Sequence, residues 1–185
     1  MVTFAYLTGW RIQSEVMKLQ WRRVDLKAGT VRLDPGTTKN KQGRLFPFGA
    51  HLPELRQVLE EQRQLTTTIE TERNLICRWV FHRSGRPIKN FRKAWKDACI
   101  AAEVPGRIPH DFRRTAARNL ERAGVSRSVA MQLTGHKTES VYRRYAIVSE
   151  ADLGAGVEKL GQLADGTIRG TKARKGRVRK FRQKP

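Results

Sequence analysis

At 185 residues and 21.2 kDa, with 38% hydrophobic residues, the chain can fill one core and carry a tail. Its 38 Lys and Arg against 17 Asp and Glu give a formal charge of +21, so the expected partner is a polyanion, with nucleic acid ahead of an anionic membrane surface. No run is long and apolar enough to span a bilayer, the start from Met1 to Tyr6 lacks a secretory pattern, and Cys77 and Cys99 are too few for a disulfide framework or a zinc cluster.

Phe4 to Leu7 reads as the last turn of a helix that stops at Thr8-Gly9, where glycine can take a left-handed cap. A chain that opens on a final helical turn is expected to have further sequence before Met1 in the complete protein. Ser14 and Glu15, ahead of Val16, Met17 and Leu19, suit a helix start. Thr30 to Leu33 alternates as a strand and Arg44 to Phe48 forms a second, with Thr38-Lys39-Asn40-Lys41-Gln42-Gly43 as the basic turn between them. Helical spacing follows over Leu52, Leu55, Val58, Leu59 and Leu65, whereas the polar stretch from Thr66 to Glu72 reads as loop.

Trp79 to His82 offers a third strand, ended by Ser84-Gly85-Arg86-Pro87. Phe91, Trp95, Ala98, Cys99 and Ala102 fall on one face of a long helix, which makes it the clearest core helix, with both cysteines reduced and structural. After Pro105-Gly106 a helix from about Pro109 to Ala123 turns Phe112, Ala116, Ala117 and Leu120 inward. Ser126, Thr138 and Ser149 are placed to cap three more, over segments ending near Gly135, Tyr145 and Leu163. From Gly166 to Pro185 there are nine basic residues and no acidic ones, a composition that stays disordered until it meets a polyanion. Taking those nine from +21 leaves +12, so the part expected to fold is itself basic.

The chemistry concentrates between His110 and Tyr145. A phosphodiester passing through its five-coordinate transition state needs its charge met, and guanidinium groups do so in a bidentate way; Arg11 and Arg113 are the candidates. The leaving oxygen needs a proton, which a lysine on the basic turn can give, Lys39 ahead of its neighbour Lys41, and Tyr145 is the candidate hydroxyl nucleophile. A phenol with a reference pKa near 10 needs cations or an adjacent base to favour the phenolate, roles the arginines and His136 can fill. No acidic cluster suited to holding Mg²⁺ between phosphates stands out.

In this arrangement the chain resembles the tyrosine recombinases of the phage integrase type. Thr8-Gly9-Trp10-Arg11 with Ser14-Glu15 is similar to that family's first-arginine motif, and Thr38-Lys39-Asn40 with Arg44 to its β-hairpin lysine. His110-x-x-Arg113 matches the second box. Gly135-His136 with a tyrosine nine residues later matches the third, which selects Tyr145 over the fallback Tyr142. Glu15 stands four residues after Arg11 where the family has its acid at three, so its role stays open.

The resemblance implies an integrase catalytic fold, α+β and mostly α with a small antiparallel sheet of about three strands. It implies that Arg11 and Arg113 bind the non-bridging oxygens, that His110 and His136 hydrogen-bond the scissile phosphate, that Lys39 protonates the 5′-oxygen and that Tyr145 forms a 3′-phosphotyrosine link without ATP or metal. Residues 1–165 are expected to form the catalytic domain, lacking the family's N-terminal DNA-binding domain, with 166–185 as a basic tail. Arg44, Arg114, Arg143, Arg144, Lys172, Arg174 and Lys175 are the expected contacts to double-stranded DNA. A homotetramer on DNA is implied, with the last helix as the contact between protomers, and a location in the cytoplasm, on the nucleoid in a prokaryote. The competing readings are a catalytically silent DNA-binding fragment and a basic RNA-binding protein; the second explains the charge but not the ordered boxes.

Overall fold

Alternating side chains and helical stripes build the scaffold in a computed structural model that describes residues 1–36, 43–145, 148 and 150–164. Residues 1–147 form one compact unit and the remainder a second. In the first, helix α1 (Val2–Thr8) ends at Gly9, whose φ of 67° is the left-handed cap expected of it. A three-stranded antiparallel sheet follows, in the order β1 (Val24–Asp25), β2 (Thr30–Leu33), β3 (Arg44–Pro47). Its register sets Val31 opposite both Val24 and Phe46, and Leu33 opposite Arg44. Because strand side chains alternate, Val31, Leu33, Arg44 and Phe46 all turn inward while Leu45 turns out.

Helix α2 (Pro53–Arg73) buries Leu55 and Leu59, then runs straight through the stretch expected to be loop. The correction has a plain cause. Thr66, Thr67, Thr68 and Thr71 each donate a hydroxyl to the carbonyl four residues back, at 2.7 to 3.1 Å, so a polar run is satisfied inside the helix instead of ending it. The helix stops at Asn74, in the left-handed region at φ 48°.

The third strand of the sheet is Val24–Asp25 and not Trp79 to His82. Trp79 makes only an isolated bridge to Gln20, and His82–Arg83 (β4) pairs with Arg86–Pro87 (β5) in a separate two-stranded hairpin. The helix expected from Ser14 is a single 3₁₀ turn over Val16–Lys18. Along α3 (Arg92–Ala101), preceded by buried Phe91, only Trp95 and Cys99 continue the inward line, and Ala98 and Ala102 are exposed, so this helix is less embedded than its stripe suggested.

Four further helices follow: α4 (Asp111–Arg122), α5 (Arg127–Thr134), α6 (Glu139–Arg143) and, in the second unit, α7 (Glu150–Ala164). Helix α4 packs between α1 and α5, with Ala116 and Ala117 at the contacts. The main core joins Phe4, Trp10, Phe46 and Phe81 in edge-on pairs with centroids 5.5 to 6.4 Å apart. The Trp10 indole also donates to the Leu133 carbonyl at 3.1 Å, tying residue 10 to the end of α5. A smaller core gathers Ala117, Ala130 and Tyr142. Among the described residues no helix is long and apolar enough to cross a membrane.

Candidate active site

Three arginines and one carboxylate lie where the ends of α1 and α5 meet β3. Glu15 is 1% exposed and accepts from four donors. Its Oε1 lies 2.9 Å from Arg11 Nη1 and 3.0 Å from Arg44 Nη2; its Oε2 lies 2.8 Å from the Arg11 backbone N–H and 3.2 Å from Arg44 Nη1. Burial pushes the Glu15 carboxyl up, but the bonds and charges of Arg44 and Arg11 together outweigh it and hold the group below its ordinary value. The role the sequence left open is therefore that of a buried anchor.

Arg113, only 2% exposed, projects from the first turn of α4. Its guanidinium donates to the carbonyls of Gly9 at 2.8 Å and Gly135 at 3.2 Å, and to that of Thr134. Burial, then the charge of Arg11, pull it down to about 9, which still leaves it protonated at neutral pH. Arg11 keeps about a quarter of its side chain open to solvent and so can meet an incoming anion.

His110, at the N-cap of α4, has Nε2 2.9 Å from the Tyr145 hydroxyl. Burial, followed by the charges of Arg113, Arg114 and Arg11, lowers the His110 pKa below the usual histidine range. The ring is thus neutral at pH 7, and in its Nδ1–H tautomer Nε2 is free to accept a hydrogen bond from the phenol. The hydroxyl of Tyr145 is hydrogen-bonded to His110, whereas His136, expected as the adjacent base, meets it through ring packing.

His136 stacks obliquely on Tyr145, with centroids 4.9 Å apart, but its one hydrogen bond runs elsewhere. Nδ1 is 2.7 Å from the Thr134 hydroxyl, and that hydroxyl donates its single hydrogen to the Ala130 carbonyl, also at 2.7 Å. Nδ1 must then be the donor, and Nε2 is left as a buried lone pair with no partner among the described residues. Burial, with the charges of Arg113, Arg11 and Arg44, brings His136 down to about 3. Thr134 was missed from the sequence; the available signal is its place four residues after Ala130 at a helix end, where a threonine hydroxyl bonds back. A cavity of about 850 Å³ opens between β3 and α5, with His136, Gly135, Leu45 and Met131 on its wall.

Tyr142, the fallback nucleophile, is fully buried, donates to the Ala117 carbonyl at 3.3 Å and is pushed up to about 12 by burial and Glu121. It is the core aromatic; Tyr145 is the accessible one. Arg44, expected to touch DNA, is instead an interior residue with a side chain 5% exposed, because β3 turns it to the same face as Phe46. Arg114 and Arg143 are exposed and paired with Asp111 and Glu139 at 2.9 Å, and Arg144 is exposed. Lys39, Lys172, Arg174 and Lys175 lie outside the described residues.

Residues 1–151 match the Phage integrase family. The prophage integrase IntF of Escherichia coli K12 is 30% identical over 145 residues, which is 75% of this chain and 28% of that protein. The XerA recombinase structure superposes with a TM-score of 0.68 at 17% identity, covering 86% of this chain and 56% of that one. A lambda integrase dimer bound to a core site gives 0.57 at 16% identity, covering 96% and 54%. The chain therefore spans about a quarter of its curated relative and about half of these two solved chains. With that family's profile matched over residues 1–151, the chain belongs to the phage integrase family.

Proposed function

We propose that this chain supplies the catalytic part of a site-specific DNA recombinase that breaks and rejoins strands through Tyr145. The observation that carries the reading is the 2.9 Å contact between the Tyr145 hydroxyl and His110 Nε2, one helical turn from Arg113. The phenolic oxygen attacks the scissile phosphorus as its proton passes to His110 Nε2. The bond to the 5′-oxygen breaks and a 3′-phosphotyrosine bond replaces it. Lys39 protonates the departing oxygen, and Arg11 and Arg113 neutralise the non-bridging oxygens. In the reverse step a 5′-hydroxyl of another strand attacks the phosphotyrosine and frees Tyr145, so the bond energy is conserved.

His136 donates to a phosphate oxygen once the Thr134 hydroxyl turns from the Ala130 carbonyl to Nδ1 and the ring proton moves to Nε2. That costs one hydroxyl bond, about 1 kcal/mol. Protonating a ring with a pKa of about 3 at pH 7 costs about 5 kcal/mol, so the tautomer change wins.

Double-stranded DNA is the partner, met by Arg114, Arg143 and Arg144 and by the tail residues Lys172, Arg174 and Lys175. Solved relatives carry a circular-intermediate DNA or a core site, which supports this choice. A homotetramer forms on the DNA, and the apolar row of α7 supplies its contact. Residues 1–165 act as the catalytic domain and 166–185 as a phosphate-binding arm, in the cytoplasm and on the nucleoid of a prokaryotic cell.

The test is covalent trapping on nicked suicide duplexes of randomised sequence, without metal. The expected result is a protein–DNA adduct on a denaturing gel that Tyr145→Phe abolishes and Tyr142→Phe retains. An adduct that survives Tyr145→Phe removes Tyr145 from the mechanism. Salt-sensitive DNA binding with no adduct from the unaltered chain supports the silent fragment instead.

A further inference from the structure

Arg44 touches the partners of both Arg11 and Arg113, the two arginines assigned above to the phosphate. Its Nη2 shares Glu15 Oε1 with Arg11, at 3.0 and 2.9 Å, and its Nη1 shares the Thr134 carbonyl with Arg113, lying 3.0 Å from it. The guanidinium also lies over the Trp10 ring at 5.4 Å. It fills the space beneath Gly135 so fully that a Cβ there would come within 2.1 Å of Arg44 Cζ. The glycine of the Gly135-His136 step is thus required by Arg44 as well as by its φ of 71°.

We propose that Arg44 is a positioning residue: it fixes Arg11 and Arg113 relative to one another and makes no contact with DNA. The inference rests on the phosphodiester reading of the site above. A fork of planar donors is needed, because one group must meet both Glu15 oxygens and a carbonyl at once; the single ammonium of a lysine cannot span them. Arg44 also sets part of the field on His136, which Arg11, Arg113 and His110 share and against which Tyr142 and Tyr145 pack.

The experiment compares the 185-residue chain with Arg44→Lys and Arg44→Gln in three measurements. These are the salt dependence of binding to a random duplex pool, the adduct formed per bound complex on nicked duplexes, and the His136 ring resonances followed against pH. The expected result is a salt slope unchanged in both variants, adduct per bound complex down about 100-fold, and a His136 that titrates at higher pH in Arg44→Gln. A phosphate contact would behave otherwise: the slope would fall by about one and adduct per bound complex would hold, which overturns the proposal. Folded variants with all three measurements unchanged overturn it too. If both variants unfold, Arg44 serves folding alone and the proposal fails. Should the unaltered chain trap no DNA, the recombinase reading falls, while the salt slope and the His136 titration still judge Arg44.

Discussion

The active-site layer and the surface of α7 depart from the usual partition of residues in opposite directions. In the first, Glu15, Arg44 and Arg113 are buried beside Trp10 and the helix ends. In the second, Leu153, Val157, Leu160 and Leu163 recur at helical spacing and are each more than half exposed. Buried charge costs several kcal/mol per ion unless it is paired and fully hydrogen-bonded, and an exposed apolar row forfeits the burial that stabilises a fold. The layer meets its cost internally: each carboxylate oxygen and each guanidinium has protein partners before any ligand arrives. The α7 row finds no such compensation within its own helix, and the contact between protomers proposed above would supply one.

Four measurements break or sharpen this contrast. The largest effect is expected from His110→Ala, which removes the acceptor of the phenolic proton and should lower adduct formation about 10²- to 10⁴-fold in a trapping time course. An unchanged rate would detach Tyr145 from His110. Next comes Glu15→Ala, which strands Arg44 without its counter-ion; urea unfolding should show a loss of about 3–5 kcal/mol, partly recovered when Arg44→Met is added.

Third is acid stability. His136 has a folded pKa of about 3, below its ordinary 6.5, so the unfolded chain binds the proton more readily. The contribution is complete above pH 6.5 and declines as pH falls from there toward 3, by roughly 2–4 kcal/mol. Denaturation of the chain and of His136→Asn across that window should differ by this amount, and parallel curves would contradict it. The smallest expected change in stability belongs to Leu153→Lys with Leu160→Lys. These should leave the unfolding free energy within about 0.5 kcal/mol while lowering the number of protomers that sediment with DNA. A large loss of stability would return the row to an intramolecular core.

The boxes could be read because the family's pattern places particular residue types at fixed spacing. His110, Arg113 and Tyr145 come together as their order along the chain implied, and the helix stops at Gly9 and Gly135 follow from glycine's access to positive φ. What composition obscured was direction. Arg44 looked like a surface cation because it is charged, yet the alternation that places Phe46 inward places Arg44 inward as well. Thr66 to Glu72 looked like a break because it is polar, yet threonine hydroxyls can bond back within a helix. The partner of Tyr145 was assigned to His136, nearer in sequence, because linear distance cannot show that α4 brings His110 across to it. Lys39 falls on a segment outside the described residues, and its role rests on the family's pattern alone.

Two helices finish at Arg113. The Gly9 carbonyl lies at the C-terminus of α1, and those of Thr134 and Gly135 at the C-terminus of α5, so the negative ends of two helix dipoles converge on one buried cation. The favourable field offsets part of the desolvation that would otherwise make so enclosed a guanidinium untenable. It also means that a guanidinium able to attract an anion is charged and held in place by the fold itself. The reorganisation that water would have to undergo around a free arginine whenever an anion binds is completed once, when the chain folds.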